Sequence, residues 1–197
     1  MIMESDVKLV NKRDNPQLES DMETERLKLV PPSMELQPLV LEAIQESQDE
    51  LGVFLPWVPY ALTEAESIEN TKQAIKNFEN FEDELRYSII EKKTGCLLGA
   101  IGLTIRDKTV PFFEIGYWLR SASVGYGFVT EAVKAVETYA FSELNANRIE
   151  IKAVEYNAKS RAVAERCGYV FEGLLRNDCR LPSGELSSTA VYSKISL

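Results

Sequence analysis

Apolar residues recur along this chain in two rhythms, and the switches between them outline the fold. Arg148-Ile149-Glu150-Ile151-Lys152-Ala153-Val154 alternates polar and apolar, as a half-buried strand does. Glu25-Arg26-Leu27-Lys28-Leu29-Val30 alternates in the same way, and Pro31-Pro32-Ser33 ends it. Ser33 can N-cap a helix over about Met34 to Ser47, with Leu36, Leu39, Val40 and Ile44 on one face. Leu51 to Ala61 is aromatic, proline-bearing and without period, so it reads as an apolar loop that either covers the core or lines a pocket. Thr63, with Glu66 three residues on, makes a capping box for a second helix to about Phe78. Strands follow at Arg86–Ile90, Cys96–Ile105 and Pro111–Leu119, with short turns between them, and predict an antiparallel meander.

The rhythm then turns helical. Val129, Val133, Val136 and Ala140 fall on one face of a helix from about Phe128 to Leu144, with Glu131, Lys134 and Glu137 facing away. Strand, helix and the strand from Arg148 form a crossover, so the flanking strands should be parallel. Asn157-Ala158-Lys159-Ser160 opens another helix that stops at Gly168, and strands follow at Tyr169–Leu175 and Ser187–Ile195. The fold class is α+β, a single domain over residues 22–197 with a mixed, mostly antiparallel sheet and flanking helices. Residues 1–21 are polar and mixed in charge, and read as a mobile or loosely attached N-terminal arm.

Between the third meander strand and the long helix lies Gly125-Tyr126-Gly127. A glycine loop running into a helix N-terminus offers bare N–H groups and the positive end of the dipole to a phosphate. A lone GxG equally fits a plain tight turn. The dinucleotide fingerprint is absent, because Thr130 stands at its third glycine, and no Lys-Ser/Thr follows to make a P-loop.

Charge narrows the partners. The formal net charge of −9 disfavours nucleic acid and anionic membranes and favours a cationic substrate, although many soluble proteins are as acidic. The chain has no histidine, and Cys96, Cys167 and Cys179 are scattered, which leaves no zinc set and no histidine-based nucleophile system. Chemistry must run on carboxylates, hydroxyls, backbone groups and perhaps thiols. The lack of a long apolar run and of a leader pattern predicts a reducing, cytoplasmic setting.

Glu114-Ile115-Gly116-Tyr117-Trp118-Leu119, followed by Gly125-Tyr126-Gly127-Phe128-Val129-Thr130-Glu131-Ala132, resembles the acetyl-CoA motif of the GNAT N-acetyltransferases. The resemblance is to the RimJ/RimL subfamily, which acetylates N-termini of ribosomal proteins. Asn157 to Ser160, Glu165 to Tyr169, and the opening Thr24 to Leu29 resemble further motifs of that subfamily. The family's phosphate loop reads Gln/Arg-x-x-Gly-x-Gly/Ala, and this chain departs from it at Val124 and Val129. The resemblance implies a splayed parallel strand pair with the pantetheine arm in the gap. It implies acetyl transfer from acetyl-CoA to a primary amine, here most closely a protein N-terminal α-amino group, by direct attack, without metal and with a possible homodimer. A non-catalytic acyl-CoA-binding module and an acetyltransferase for small amines remain alternatives.

The same resemblance assigns sites. The run Val124, Gly125, Tyr126, Gly127, Phe128, Val129 and Thr130 would take the pyrophosphate. A backbone N–H among Tyr117, Trp118 and Leu119 would meet the acetyl oxygen. Asn157 would hold the pantetheine arm, or serve as an N-cap, or both. Ser160 would assist the departing sulfur, or make a capping bond. Glu114, with apolar neighbours on a central strand, is the candidate base for the amine, or a structural carboxylate. Trp57 would help to form the acceptor pocket. Cys167 reads as core packing.

Overall fold

A computed structural model describes residues 21–196, so most of the expected arm, residues 1–20, lies outside the described residues. The strands are β1 (Met22–Glu23), β2 (Leu27–Val30), β3 (Glu84–Glu91), β4 (Leu97–Asp107), β5 (Phe112–Leu119), β6 (Arg148–Val154), β7 (Val170–Arg180) and β8 (Leu186–Ile195). They form one sheet in the order β1-β2-β3-β4-β5-β6-β8-β7. All neighbours are antiparallel except β5 and β6. That parallel pair meets only from Phe112↔Arg148 to Glu114↔Glu150, and beyond Glu114 the strands part. The crossover stands as the order of elements predicted, and the splay as the family resemblance implied.

Helix α4 (Phe128–Ser142) lies on one face of the sheet and buries Phe128, Ala132, Val133, Val136 and Ala140. The opposite face of β3 and β4 carries α1 (Gln37–Glu46) and α3 (Glu64–Asn80). There a second small core gathers Ile44, Val58 and Ala61, with Val40, Leu55, Trp57 and Trp118 packed against it. A short α2 (Gln48–Leu51) precedes the apolar loop, and α5 (Ala158–Arg166) follows β6.

Some expectations shift. The first helix begins at Gln37, not Met34, because Pro38 takes a place in its first turn, where its missing N–H costs nothing. Ser33 caps only the turn before it, with Oγ accepting from Leu36 N–H at 3.4 Å. Leu39 is exposed, whereas Ile44 is buried as expected, and Gln37 and Ala43 complete the buried face. Residues Met22–Glu23 fold back as an extra strand (Met22↔Leu29), and β7 runs five residues past the expected Leu175, to Arg180. The Leu51–Ala61 loop contains one 3-10 turn, Val58–Tyr60.

The capping box at Thr63 is present in both directions: Glu66 N–H donates to Thr63 Oγ1 at 3.3 Å, and Thr63 N–H donates to Glu66 Oε2 at 3.1 Å. Thr63→Ala should cost about 1 kcal/mol. For a domain of this size that lowers Tm by roughly 2–4 °C. Scanning calorimetry checks it, with coenzyme A affinity expected to stay unchanged, because α3 lies on the opposite face of the sheet from α4.

Candidate active site

Three features converge where β5 and β6 part. The first is the loop into α4. Gly125 and Gly127 hold φ of +97° and +81°, and Gly127 is the N-cap of α4 with no side-chain cap. Left-handed φ is natural for glycine and strained for other residues. The first intrahelical bond runs from Glu131 N–H to Gly127 O at 3.1 Å, so the N–H groups of Phe128, Val129 and Thr130 are left for a ligand. Val124 and Tyr126 are exposed beside them. A cleft next to this turn is lined by Arg26, Gly127, Thr130, Lys134 and Arg166, and also by the carboxylates of Glu25 and of Glu131, the latter paired with Arg26. Thr130 Oγ1 is buried without a partner among the described residues. Uncapped N–H groups, flanking cations and an orphaned hydroxyl fit a polyanionic ligand.

Glu131 does not face away into solvent as its helical position suggested. Its carboxylate accepts from Thr24 Oγ1 at 2.5 Å, Arg26 N–H at 2.8 Å and Arg26 Nε at 2.6 Å. Arg26 Nη1 also donates to Tyr126 O at 2.9 Å, and its guanidinium lies 4.7 Å from the Phe128 ring centroid. Burial pushes the Glu131 carboxyl up, but the bonds from Thr24 and Arg26 outweigh it and hold the group below its ordinary range. Thr24 and Arg26 thus clasp the turn into α4. Glu137 likewise binds Lys194 at 2.7 Å.

The second feature is the open edge of β5. Arg120 N–H donates to Leu98 O on the β4 side at 2.7 Å. Backbone groups alternate along a strand, so Trp118 and Gly116 share that side. The N–H groups of Tyr117 and Leu119 then point into the gap left by β6. Across the gap stands the N-terminus of α5. Asn157 Oδ1 accepts from Ser160 N–H at 3.1 Å, so Asn157 is an N-cap whose amide NH₂ stays available. Tyr117 OH lies 3.0 Å from Ser160 Oγ and 3.1 Å from Ser160 O. Burial pushes the Tyr117 phenol up to about 12, against the pull of its bond with Ser160, so it keeps its proton. When the phenol donates to Ser160 Oγ, the serine's own proton is free to point into the gap.

The third feature is a cavity of about 270 Å³ between the sheet and α1, α3 and the apolar loop. Its walls include Val40, Leu55, Trp57, Ser67, Asn70 and Trp118, and its floor includes Glu84, Arg86, Gly102, Gly116 and Tyr117. Trp57 and Trp118 touch, with ring centroids 6.2 Å apart. The apolar loop therefore lines a pocket as well as covering a core.

Glu114 stands at the last paired position before the splay and does not line this cavity. Its environment is ionic, not apolar. Glu114 Oε2 accepts from Arg106 Nε and Nη2 at 3.0 and 2.6 Å, and lies 3.2 Å from Lys152 Nζ. Lys152 continues to Glu150, and Arg148 joins Glu150 to Glu172. Cys167 is buried, with Sγ toward Thr130 O at 3.8 Å, as a packing residue.

Residues 26–170 match the acetyltransferase (GNAT) domain. The chain belongs to the GNAT acetyltransferases. As a GNAT enzyme it is 32% identical over 170 residues to the uncharacterized N-acetyltransferase p20 of Bacillus licheniformis, covering 86% of this chain and 93% of that one. It is 31% identical over 80 residues to the ribosomal-protein-serine acetyltransferase of Escherichia coli, a match spanning 41% of this chain and 45% of that protein. The fold superposes on RimL, a ribosomal L7/L12 α-N-protein acetyltransferase solved with coenzyme A, with a TM-score of 0.84 at 20% identity, covering 89% and 97% of the two chains. The enzyme is an acetyl-CoA-dependent N-acetyltransferase, and solved relatives of this fold hold acetyl-CoA or coenzyme A. Among the described residues no cluster could hold a metal ion, and no helix is long and apolar enough to cross a membrane.

The fold brings Tyr117, Leu119, Ser160 and Asn157 to the gap, with the run Val124 to Thr130 in the turn that opens α4, whereas Trp118 turns its N–H to β4 and its ring to the cavity. Trp57 lies in the cavity, and Glu114 stands apart from it. Sequence reasoning passed over Arg26, Glu84 and Arg86. Arg26 was read only as a strand residue, and its partner Glu131 lies 105 positions away. Glu84 fell two residues short of the expected strand, where the alternation Glu84-Leu85-Arg86-Tyr87 was the available signal.

Proposed function

We propose that this GNAT enzyme acetylates the α-amino group at the N-terminus of a protein. The observation that carries the reading is the position of β5 between two sites. On one side its free edge faces the phosphate-binding turn and α5, and on the other Gly116 to Trp118 floor an open cavity of about 270 Å³. The cavity argues against a non-catalytic binding module, whose groove would be closed. The names of the Escherichia coli relative and of RimL support a protein N-terminus as acceptor.

Acetyl-CoA supplies an activated acetyl group. The turn from Val124 to Thr130 holds the phosphates, and Asn157 the pantetheine arm. The N–H of Tyr117 or Leu119 stabilises the charge that gathers on the acetyl oxygen, an arrangement typically worth a few kcal/mol. Ser160, oriented by Tyr117, donates a proton toward the sulfur. Thiolates of pKa near 8.5 need little help, so Ser160→Ala should slow transfer about tenfold. Glu114 stands outside the cavity, paired with Arg106 and Lys152, so in this reading the amine's proton reaches it only by a relay of water. Because its carboxylate must first leave an ion pair, Glu114→Gln should cost less than about tenfold, and an unchanged rate across pH 6–9 would remove it as the base. The setting we propose is cytoplasmic. The homodimer stays part of the proposal, with the apolar edge strand β7 (Val170, Phe171, Leu174, Leu175 exposed) as the surface offered to a second copy.

The test is acetyl-CoA turnover, read as free thiol released, against peptides with free N-termini, the same peptides N-acetylated, and a panel of small amines. Release with free-N-terminal peptides alone is expected. Release with polyamines or aminoglycosides but no peptide would overturn the protein acceptor.

A further inference from the structure

Two charged residues face the acceptor cavity, and the mechanism above uses neither. Glu84 and Arg86 lie two apart on β3, so their side chains share one face of the sheet. Arg86 donates from Nε at 3.0 Å and from Nη2 at 2.6 Å, both to Glu84 Oε2. Glu84 Oε1 makes no bond among the described residues. Nor does Arg86 Nη1.

The direction of Oε1 follows from a glycine. Arg86 pairs with Gly102 on β4, and Gly102 pairs with Gly116 on β5. A Cβ on Gly102 would come within 2.2 Å of Glu84 Oε1 and 2.8 Å of its Cδ. The carboxylate therefore lies flat over Gly102, in space that any other residue would fill. A Cβ on Gly116 would meet nothing within 4 Å. Gly116, beside the covered Gly102, leaves a patch of bare backbone on the cavity floor, one residue before Tyr117. The free carboxylate oxygen stands at the edge of that patch, and Arg86 holds it in place.

Resting on the reading of this chain as an N-terminal acetyltransferase, we infer that the Glu84–Arg86 pair selects the acceptor by its α-amino-carbonyl unit. Glu84 Oε1 accepts a charge-assisted hydrogen bond from the incoming ammonium. Arg86 Nη1 donates to the carbonyl oxygen that an N-terminal residue carries one carbon away. An alkylamine offers only the first contact. The apolar wall of Val40, Leu55, Trp57 and Trp118 takes the side chain beside the amine. In this role Glu84 and Arg86 touch substrate and leave the phosphate-binding turn alone.

The experiment compares alaninamide with isopropylamine, which has the same carbon skeleton without the carbonyl. With kcat/KM expressed per neutral amine, because the carbonyl makes alaninamide the less basic of the two, the wild type should prefer alaninamide by about tenfold or more, the worth of one good hydrogen bond to a charged group. Glu84→Gln, nearly isosteric, should lower kcat/KM for both amines by at least about tenfold, through KM for the amine, with KM for acetyl-CoA unchanged. Arg86→Met should erase the preference: it also releases the Glu84 carboxylate, so kcat/KM falls for both amines, and falls further for alaninamide, which loses a second contact. A Glu84→Gln enzyme within twofold of wild type, or an Arg86→Met enzyme with its preference intact, overturns the inference while the acetyltransferase reading stands. If the wild type acetylates neither amine nor any peptide, the N-terminal reading fails. Binding of alaninamide to the coenzyme A-saturated protein, followed by tryptophan fluorescence, then decides this inference by itself. Binding lost in Glu84→Gln supports it, and equal binding, or none in the wild type, overturns it.

Discussion

Gly127→Val should abolish measurable coenzyme A binding and leave the protein folded. Gly127 holds φ at +81°, where a β-branched residue is a genuine outlier. The nearest atom to a new Cβ is Arg26 Nη2 at 3.6 Å, so the change meets no wall. Its cost to the fold is backbone strain alone, of order 1–2 kcal/mol. Relief of that strain rotates the turn and takes the N–H groups of Phe128 to Thr130 out of register with the phosphates. A loss of at least about 100-fold in affinity, near 2.7 kcal/mol, is expected by calorimetry. The melting temperature should fall by no more than roughly 8 °C. Affinity within threefold of wild type would show that the phosphates bind elsewhere.

Gly99→Ala should instead damage the fold and the site together. A Cβ at Gly99 would lie 2.1 Å from Trp118 O and 2.8 Å from Leu119 Cα. Both are backbone atoms of β5, so no rotamer change can make room, whereas the atom opposing Gly102 ends a flexible side chain. β4 and β5 must separate where the N–H groups of Tyr117 and Leu119 are set. Overpacking of this kind costs typically 1–3 kcal/mol, and more when backbone must move, so a fall of roughly 6–12 °C in Tm is expected. Acetyl transfer should drop with it, at concentrations that saturate with acetyl-CoA. A variant as stable and as active as wild type would mean that β5 tolerates displacement and that its edge is not the oxyanion site.

The two glycine predictions rest on different kinds of knowledge, and the same divide separates what was legible in the sequence from what was not. Local chemistry read well. Thr63 and Glu66 cap each other, Asn157 caps α5, and Arg148–Val154 is a strand to the residue. Each depends on neighbours a few positions away. The crossover also read well, because a strand, a helix and a strand leave one common hand and direction. Side-chain environment read poorly wherever the partner is distant. Glu131 sits on the polar face of α4, but a helical wheel cannot tell that β1, β2 and the turn between them cover that face. Glu114 has apolar sequence neighbours, Phe113 and Ile115, yet strand alternation sends those to the core and leaves Glu114 among Arg106 and Lys152, which come from β4 and β6. The cavity floor was equally hidden, since it depends on two glycines in register across β4 and β5.

The clasp between Thr24, Arg26 and Glu131 also sets an order of events. Its halves are separated by 107 and 105 residues. As the chain leaves the ribosome, β2 emerges early, with only the two residues of β1 to pair with until β3 follows. Arg26 has no carboxylate to grip until α4 has been made. The phosphate turn therefore acquires its final shape only after most of the sheet exists, and closure over so long a loop belongs to the slow, non-local part of folding. A nascent or truncated chain that ends before α4 can build a meander, but it cannot sequester cofactor.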